Sequence, residues 1–287
     1  MTGRTRDTRA EPERTVRSEP ERIDRPGNPR IAAAAALRDR EQRAVTGLAL
    51  VDGVREIERA IGAGLIPETI FLCPERAGER AAALAASAAR RGSTVLHVSR
   101  RALERLAYGD REEGVVAVVR PRVTGLADLR LPPHPMVVVT EDVEKPGNLG
   151  AVLRAADGAG ADAVVAAGGA DPYHPNVIRA STGIVFSLPV ACAAASEVLD
   201  WLHANRIRVV TTRLDATRSP WEVDLRGPVA IVLGSEAHGL SATWSGPDME
   251  AVRLPMLGAA DSLNVAVTAA VLLYEARRQR GAGGPGG

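Results

Sequence analysis

Three separated stretches of the chain set charged and amide side chains beside glycine and proline. In the first, EDVEKPGNLGAVLRAADGAGA over residues 141–161, Pro146-Gly147-Asn148 is enough for a tight strand-to-helix turn, and Asn148 can cap the helix that follows. Glu144, Lys145 and Arg154 carry charge that a turn does not require. Arg154 sits among Leu153, Ala155 and Ala156 and can project toward the strand ends, or it is a solvated arginine. In the second, IVLGSEAHGLS over residues 231–241, a strand ends at Leu233 and Gly234 lets backbone approach a ligand closely. Glu236 follows at the strand terminus and Gly239 allows another sharp turn; the alternative is a helix start capped by Ser235 or Glu236, with His238 a turn residue. In the third, a strand ends at Leu254-Pro255-Met256 and Ser262-Leu263-Asn264 opens the last helix. Ser262 can be the N-cap. Asn264 can present a carboxamide to a ligand while Leu263 packs on a flat ring.

The elements that must hold these loops follow from apolar runs. Residues 136–280 carry short strands at 136–140, 162–167, 187–191, 207–212 and 228–233, separated mostly by helices and closed by a long helix from about Ser262. Such a series is expected to form a parallel sheet buried on both faces, with ligands at the carboxyl ends of its strands. Residues 29–120 alternate in the same manner. Helices are expected at 31–45, 54–62, 77–91 and 101–106, and strands at 48–51, 69–72, 94–98 and 115–119, a small sheet covered by helices. The fold class is therefore α/β in two domains. Residues 121–135, with Pro121, Pro132, Pro133 and Pro135, form the linker. Residues 1–28 hold seven Arg against six acids without apolar periodicity and are expected to be a disordered tail; GAGGPGG at 281–287 is a flexible end.

Composition narrows the class. No apolar run of the 287 residues approaches a membrane span, and no apolar core follows the first charges as in a secretory signal, so the cytoplasm is expected. Cys73 and Cys192 fit neither a metal-ligand spacing nor a disulfide framework, and no metal is expected. Of 36 basic residues only Lys145 is a lysine, a bias that points to a GC-rich genome and weakens arginine abundance as a sign of nucleic acid. The run DGAGAD at 157–162 precedes a strand and lacks the G-x-G-x-x-G spacing of a dinucleotide fold.

Taken together and in order, the three loops resemble the three motifs of the SpoU/TrmH family of RNA 2′-O-ribose methyltransferases, part of the SPOUT superfamily. The matching residues are Asn148 and Arg154, then Gly234, Glu236 and Gly239, then Pro255, Met256, Ser262, Leu263 and Asn264. PNVIRASTGIVFSLPV at 175–190 looks like the family's middle portion. Residues 29–120 are similar to the L30e-like RNA substrate-binding domain of many members, on GVRE at 53–56 and EEGVVAVV at 112–119.

The resemblance implies a C-terminal domain threaded as a deep trefoil knot, which no periodicity would suggest because ordinary chains are unknotted. It implies an S-adenosylmethionine pocket built by backbone at Gly234, Leu254 and Leu263, with Met256 beside it. The reaction would be in-line methyl transfer to a ribose 2′-hydroxyl, a poor nucleophile whose developing charge must be stabilised. Arg154 would bind the adjacent phosphate and stabilise that charge, while Asn148, Glu236, Ser262 and Asn264 orient ribose, arginine and loop. Lys145 and Arg179 are candidates for RNA phosphate contacts, and Tyr108 and Tyr173 for stacking on RNA. A homodimer is implied, with the arginine serving either its own site or the partner's. The two-domain layout is similar to that of ribosomal RNA methylators, so 23S ribosomal RNA is the expected substrate. The alternatives are tRNA, or a non-catalytic RNA-binding protein on the same fold.

Overall fold

The computed structural model describes residues 21–108 and 113–281, and among these the chain forms two α/β domains. The N-terminal domain runs β1 (Arg22–Ile23), α1 (Pro29–Ala36), α2 (Arg40–Thr46), β2 (Ala49–Asp52), α3 (Val54–Gly62), β3 (Thr69–Leu72), α4 (Glu79–Arg90), β4 (Thr94–Val98), α5 (Arg100–Leu106) and β5 (Val115–Val119). Its sheet has the order β1-β4-β3-β5-β2. β1, β3 and β4 are parallel, and β5 runs antiparallel to both β3 and β2.

Two expectations need correction here. The single helix expected at 31–45 is two, because the Asp39 carboxylate accepts the Glu41 N–H at 3.0 Å and caps a new helix. Residues 21–28 are not part of a tail: β1 pairs with β4 and Ile23 is buried, although charge balance suggests otherwise. The rest of the expected tail, residues 1–20, lies outside the described residues, as do 109–112 and 282–287.

The C-terminal domain runs β6 (Met136–Glu141), α6 (Pro146–Ala159), β7 (Ala163–Ala167), α7 (Pro175–Ala180), β8 (Val190–Ala193), α8 (Ala195–Ala204), β9 (Arg208–Thr212), β10 (Val229–Leu233), β11 (Met249–Val252) and α9 (Val265–Gln279). Its sheet is wholly parallel with the order β11-β9-β10-β6-β7-β8. Every residue of β6, β7 and β10 is buried, as a two-sided sheet requires, and all are apolar except Thr140 and Glu141 at the end of β6. The first crossover leads from β6 away from β10, so these neighbours flank the point where strand order reverses. The glycine run at 157–162 ends α6: Gly160 takes the left-handed conformation (φ 73°), and the Asp162 carboxylate accepts the Met136 N–H at 2.8 Å. The strand expected at 187–191 lies at 190–193, because residues 184–186 form a 3₁₀ turn. β11 ends at Val252, so Leu254, Pro255 and Met256 are loop, and the last helix is capped by Asn264 rather than Ser262. Among the described residues no helix is long and apolar enough to cross a membrane.

A polar seam joins the domains. Arg43, 4% exposed, pairs with Asp171 at 2.7 Å and also donates to the Leu37 and Arg38 carbonyls at 2.9 and 2.8 Å. Arg59 donates to the Thr182 carbonyl and hydroxyl, both at 2.6 Å. One apolar cluster continues across the seam, with Ile57 and Ala60 from one side and Ile184 and Val185 from the other.

Candidate functional site

The three loops meet at the carboxyl ends of β6, β9, β10 and β11. Gly234, Glu236, Leu254, Met256, Ser262, Leu263 and Asn264 all line one cavity of about 610 Å³. Gly234 is there by necessity, since a Cβ on it would stand 2.3 Å from the Gly239 carbonyl carbon. The loop closes on itself by paired backbone bonds, Ser235 N–H to Gly239 O at 3.1 Å and Gly239 N–H to Ser235 O at 3.0 Å. His238 lies in that turn, its N–H donating to the Ser235 hydroxyl at 3.1 Å.

Asn148 does not line the cavity but connects its walls. Its side-chain amide donates to the Glu236 carboxylate, and its carbonyl oxygen accepts from the Asn264 amide at 3.2 Å. The Asn264 oxygen in turn accepts the Ala266 N–H at 2.9 Å, capping α9. Each of the three polar residues comes from a different loop, and their side chains form one chain of hydrogen bonds.

Arg154 stands apart. It is exposed on α6, and its side chain takes no hydrogen bond or ion pair from the described residues. Six residues beyond Asn148 a helix has turned about 240° further round its axis, so the two side chains leave different faces. Arg154 shares its face with Gly158, over which the Tyr274 hydroxyl sits. Lys145 is the extended residue before Pro146 at the start of α6, and it is exposed.

Arg179, Tyr108 and Tyr173 stand at the domain seam. The Arg179 guanidinium donates to the Tyr108 carbonyl at 2.5 Å, and the Asn176 amide to the Tyr108 hydroxyl at 3.2 Å. The Tyr173 hydroxyl donates to the Arg122 carbonyl at 2.7 Å, and burial pushes its pKa up to about 12. These groups are engaged within the protein in this state.

Sequence reasoning missed the wall built by Thr212, Arg213, Leu214 and Asp215 at the end of β9. Arg213 pairs with Asp215 through two bonds of 2.9 Å, which holds the Asp215 carboxyl below the usual range. The available signal was position: the expected strand 207–212 ended there, and in parallel sheets strand ends face ligands.

The comparisons with known proteins agree on one group. Residues 135–274 match the SpoU rRNA methylase family, and residues 28–117 match the MRM3-like substrate binding domain. The chain is 33% identical over 256 residues to the 23S rRNA (uridine(2479)-2′-O)-methyltransferase of Streptomyces viridochromogenes, covering 86% of this chain and 88% of that one. A crystal structure of an RNA 2′-O ribose methyltransferase is similar at a TM-score of 0.80 and 44% identity, covering 90% of this chain and 99% of the other. An AdoMet-bound rRNA methyltransferase from Sinorhizobium meliloti is similar at a TM-score of 0.82 and 28% identity, covering 90% and 97%.

Proposed function

The chain belongs to the SpoU rRNA methylase family, and from that premise we propose that it methylates a ribose 2′-hydroxyl of 23S ribosomal RNA, using S-adenosylmethionine. The observation that carries this reading is the hydrogen-bonded chain Glu236–Asn148–Asn264, which ties the first matching loop to a cavity walled by the second and third.

The residues present fit the cofactor. The cavity is of a size that accepts a cofactor-sized ligand. Leu233, Leu240, Leu254 and Leu263 offer apolar walls for an adenine ring, and Gly234 keeps backbone accessible. Asp215, Glu236 and Asp261 add carboxylates and Arg213 and Arg253 add guanidiniums, a mixed lining suited to a ligand that carries both signs of charge. When bound, S-adenosylmethionine supplies an electrophilic methyl group on a sulfonium. The chain's part is to hold the ribose hydroxyl in line with that methyl and to stabilise the charge that develops on oxygen.

Arg154 takes the second task. A guanidinium stays protonated in proteins and cannot act as a base, so it binds the phosphate next to the target ribose and stabilises the alkoxide. Asn148, Glu236, Ser262 and Asn264 orient the ribose and the closing loop, and Gly234, Leu254, Met256 and Leu263 hold the cofactor. Lys145 contacts RNA phosphate, a role supported by its exposure at the start of α6. Arg179 reaches RNA only by giving up the Tyr108 carbonyl.

The functional unit is a homodimer, with Arg154 completing the partner's site. Support comes from Arg154 standing outside its own cavity, on a face continued by the exposed Val267 and Tyr274 of α9, two turns apart. Analytical ultracentrifugation with a parallel activity assay tests this, and a fully active monomer refutes it. The trefoil knot and a cytoplasmic location are proposed on the family's pattern; the packing of α9 against α6 after the 253–264 loop supports the former. A non-catalytic RNA binder is the weaker reading, because Asn148, Arg154, Glu236, Ser262 and Asn264 are all retained. Mapping 2′-O-methyl sites on ribosomal RNA and tRNA from cells with and without the gene tests substrate and activity together. The proposal expects one ribosomal site to disappear, and loss of a tRNA site instead would replace the substrate.

A further inference from the structure

We propose that Glu141 is a positioning residue that pins the 234–241 loop, one wall of the cavity, to the end of β6; its consequence for cofactor binding rests on the reading above. Glu141 is the last residue of β6 and is 4% exposed. One carboxylate oxygen accepts the Ser241 N–H at 2.7 Å and the other accepts the Ser241 hydroxyl at 2.7 Å. No ion pair to Glu141 occurs among the described residues, so its charge is held by hydrogen bonds alone. Burying a carboxylate away from water is costly, and two hydrogen bonds to the charged form offset that cost. Val137, Val138 and Val139 satisfy the same strand with apolar side chains. A carboxylate at position 141 has its use in Ser241.

The anchor is rigid, and the loop's other hold on the core is apolar, through the partly buried Leu240. β6 lies between β10 and β7, and just beyond Glu141 the Asp142 N–H donates to the Ala167 carbonyl at 3.1 Å. The Ala170 N–H donates to the Val143 carbonyl at 2.9 Å, fixing the turn from the other side. The loop's paired Ser235 and Gly239 bonds close it on itself without attaching it to anything else. Among the described residues two side-chain hydrogen-bond attachments remain, Glu236 to Asn148 and Ser241 to Glu141, and both reach the same segment, 141–148. The segment that carries Asn148 therefore also sets the position of the wall opposite. A charged residue at a strand end, which a corner does not need, acquires a role in this way.

Full-length Glu141→Leu, Glu141→Gln and Ser241→Ala proteins test the assignment by three readouts: S-adenosylmethionine affinity by calorimetry, kcat at saturating cofactor, and hydrogen exchange of amides 235–241. Glu141→Leu should weaken cofactor binding about ten-fold, as loss of an ordered wall at roughly one hydrogen bond's net worth implies, and should speed exchange in the loop. Its kcat at saturating cofactor should fall by less than its affinity does, since Glu236 in the same loop keeps its own bond to Asn148. Glu141→Gln should restore most of the affinity, because its oxygen accepts the Ser241 N–H and its amide donates to the hydroxyl. If Glu141→Leu does not fold, Ser241→Ala decides, with a smaller loss of affinity and faster loop exchange. Wild-type exchange and affinity in both variants would overturn the proposal, as would equal losses in kcat and affinity that Glu141→Gln does not relieve. Should the wild-type protein bind no S-adenosylmethionine, the functional reading fails, while the exchange data still report whether Glu141 pins the loop.

Discussion

Asn264 donates a hydrogen bond to Asn148 across 3.2 Å, although 116 positions of sequence separate them. The same Asn264 side chain caps α9 through the Ala266 N–H, so one residue both starts a helix and reaches the neighbouring loop. Asn148 passes the connection on to Glu236. A shift at any one of the three moves the others.

The two duties of Asn264 can be separated. Asn264→Ser keeps a helix-capping oxygen but is too short to reach Asn148, whereas Asn264→Ala loses both. Asn264→Ala should cost about 1 kcal/mol of stability in urea denaturation, and Asn264→Ser much less. Both should lower kcat to a similar extent. A serine variant with wild-type turnover would show that the bond to Asn148 is dispensable.

The domain seam depends on a buried ion pair. Arg43→Met leaves the Asp171 carboxylate without its cation and the Leu37 and Arg38 carbonyls without their donor. Breaking one side of such a pair costs roughly 3–5 kcal/mol. Urea denaturation should show a loss of that order, and small-angle scattering should show a wider distribution of domain separations. Unchanged scattering with unchanged stability would mean that the apolar cluster alone holds the seam.

Acidification should loosen the same seam through His174. Burial lowers this imidazole below its ordinary 6.5, with the Arg43 guanidinium adding to the effect and Asp171 opposing it. A folded-state value below the unfolded one means that protons favour the unfolded chain. His174's contribution is therefore fully present above about pH 6.5 and is lost as pH falls through the lower folded value. In the folded chain the His174 ring nitrogen accepts the Asn176 N–H at 3.0 Å at the start of α7. His174→Asn can keep that cap without titrating. Between pH 7 and 5, melting temperature should fall less in the variant than in wild type; equal slopes would remove His174 from the account.

Much of the C-terminal sheet was legible because short apolar runs such as Met136 to Val139 and Val229 to Leu233 have few other fates in a chain of this composition. The cavity lining at Gly234 and Glu236 was legible for a related reason: glycine and polar residues at strand ends mark where a parallel sheet meets ligand, whereas Leu263 was placed there by the family resemblance. The Glu141–Ser241 contact was not, since the partners are 100 positions apart and no local period encodes them. Arg43–Asp171, 128 positions apart, was hidden for the same reason, and a bias toward arginine across the whole chain masked it further. The helix break at Leu37–Asp39 was missed because the alanine-rich run before it suits a continuous helix; Asp39 interrupts it by offering its own cap.

The most direct measurement is transfer of labelled methyl from S-adenosylmethionine to 23S ribosomal RNA, followed by digestion to nucleosides, with wild type and Arg154→Ala side by side. The account predicts one labelled 2′-O-methyl nucleoside from wild type. It predicts none from Arg154→Ala, whose cofactor affinity by calorimetry should stay within about three-fold of wild type, because Arg154 lies outside the cavity. Label on a base instead of a ribose, or near wild-type transfer by Arg154→Ala, would contradict it.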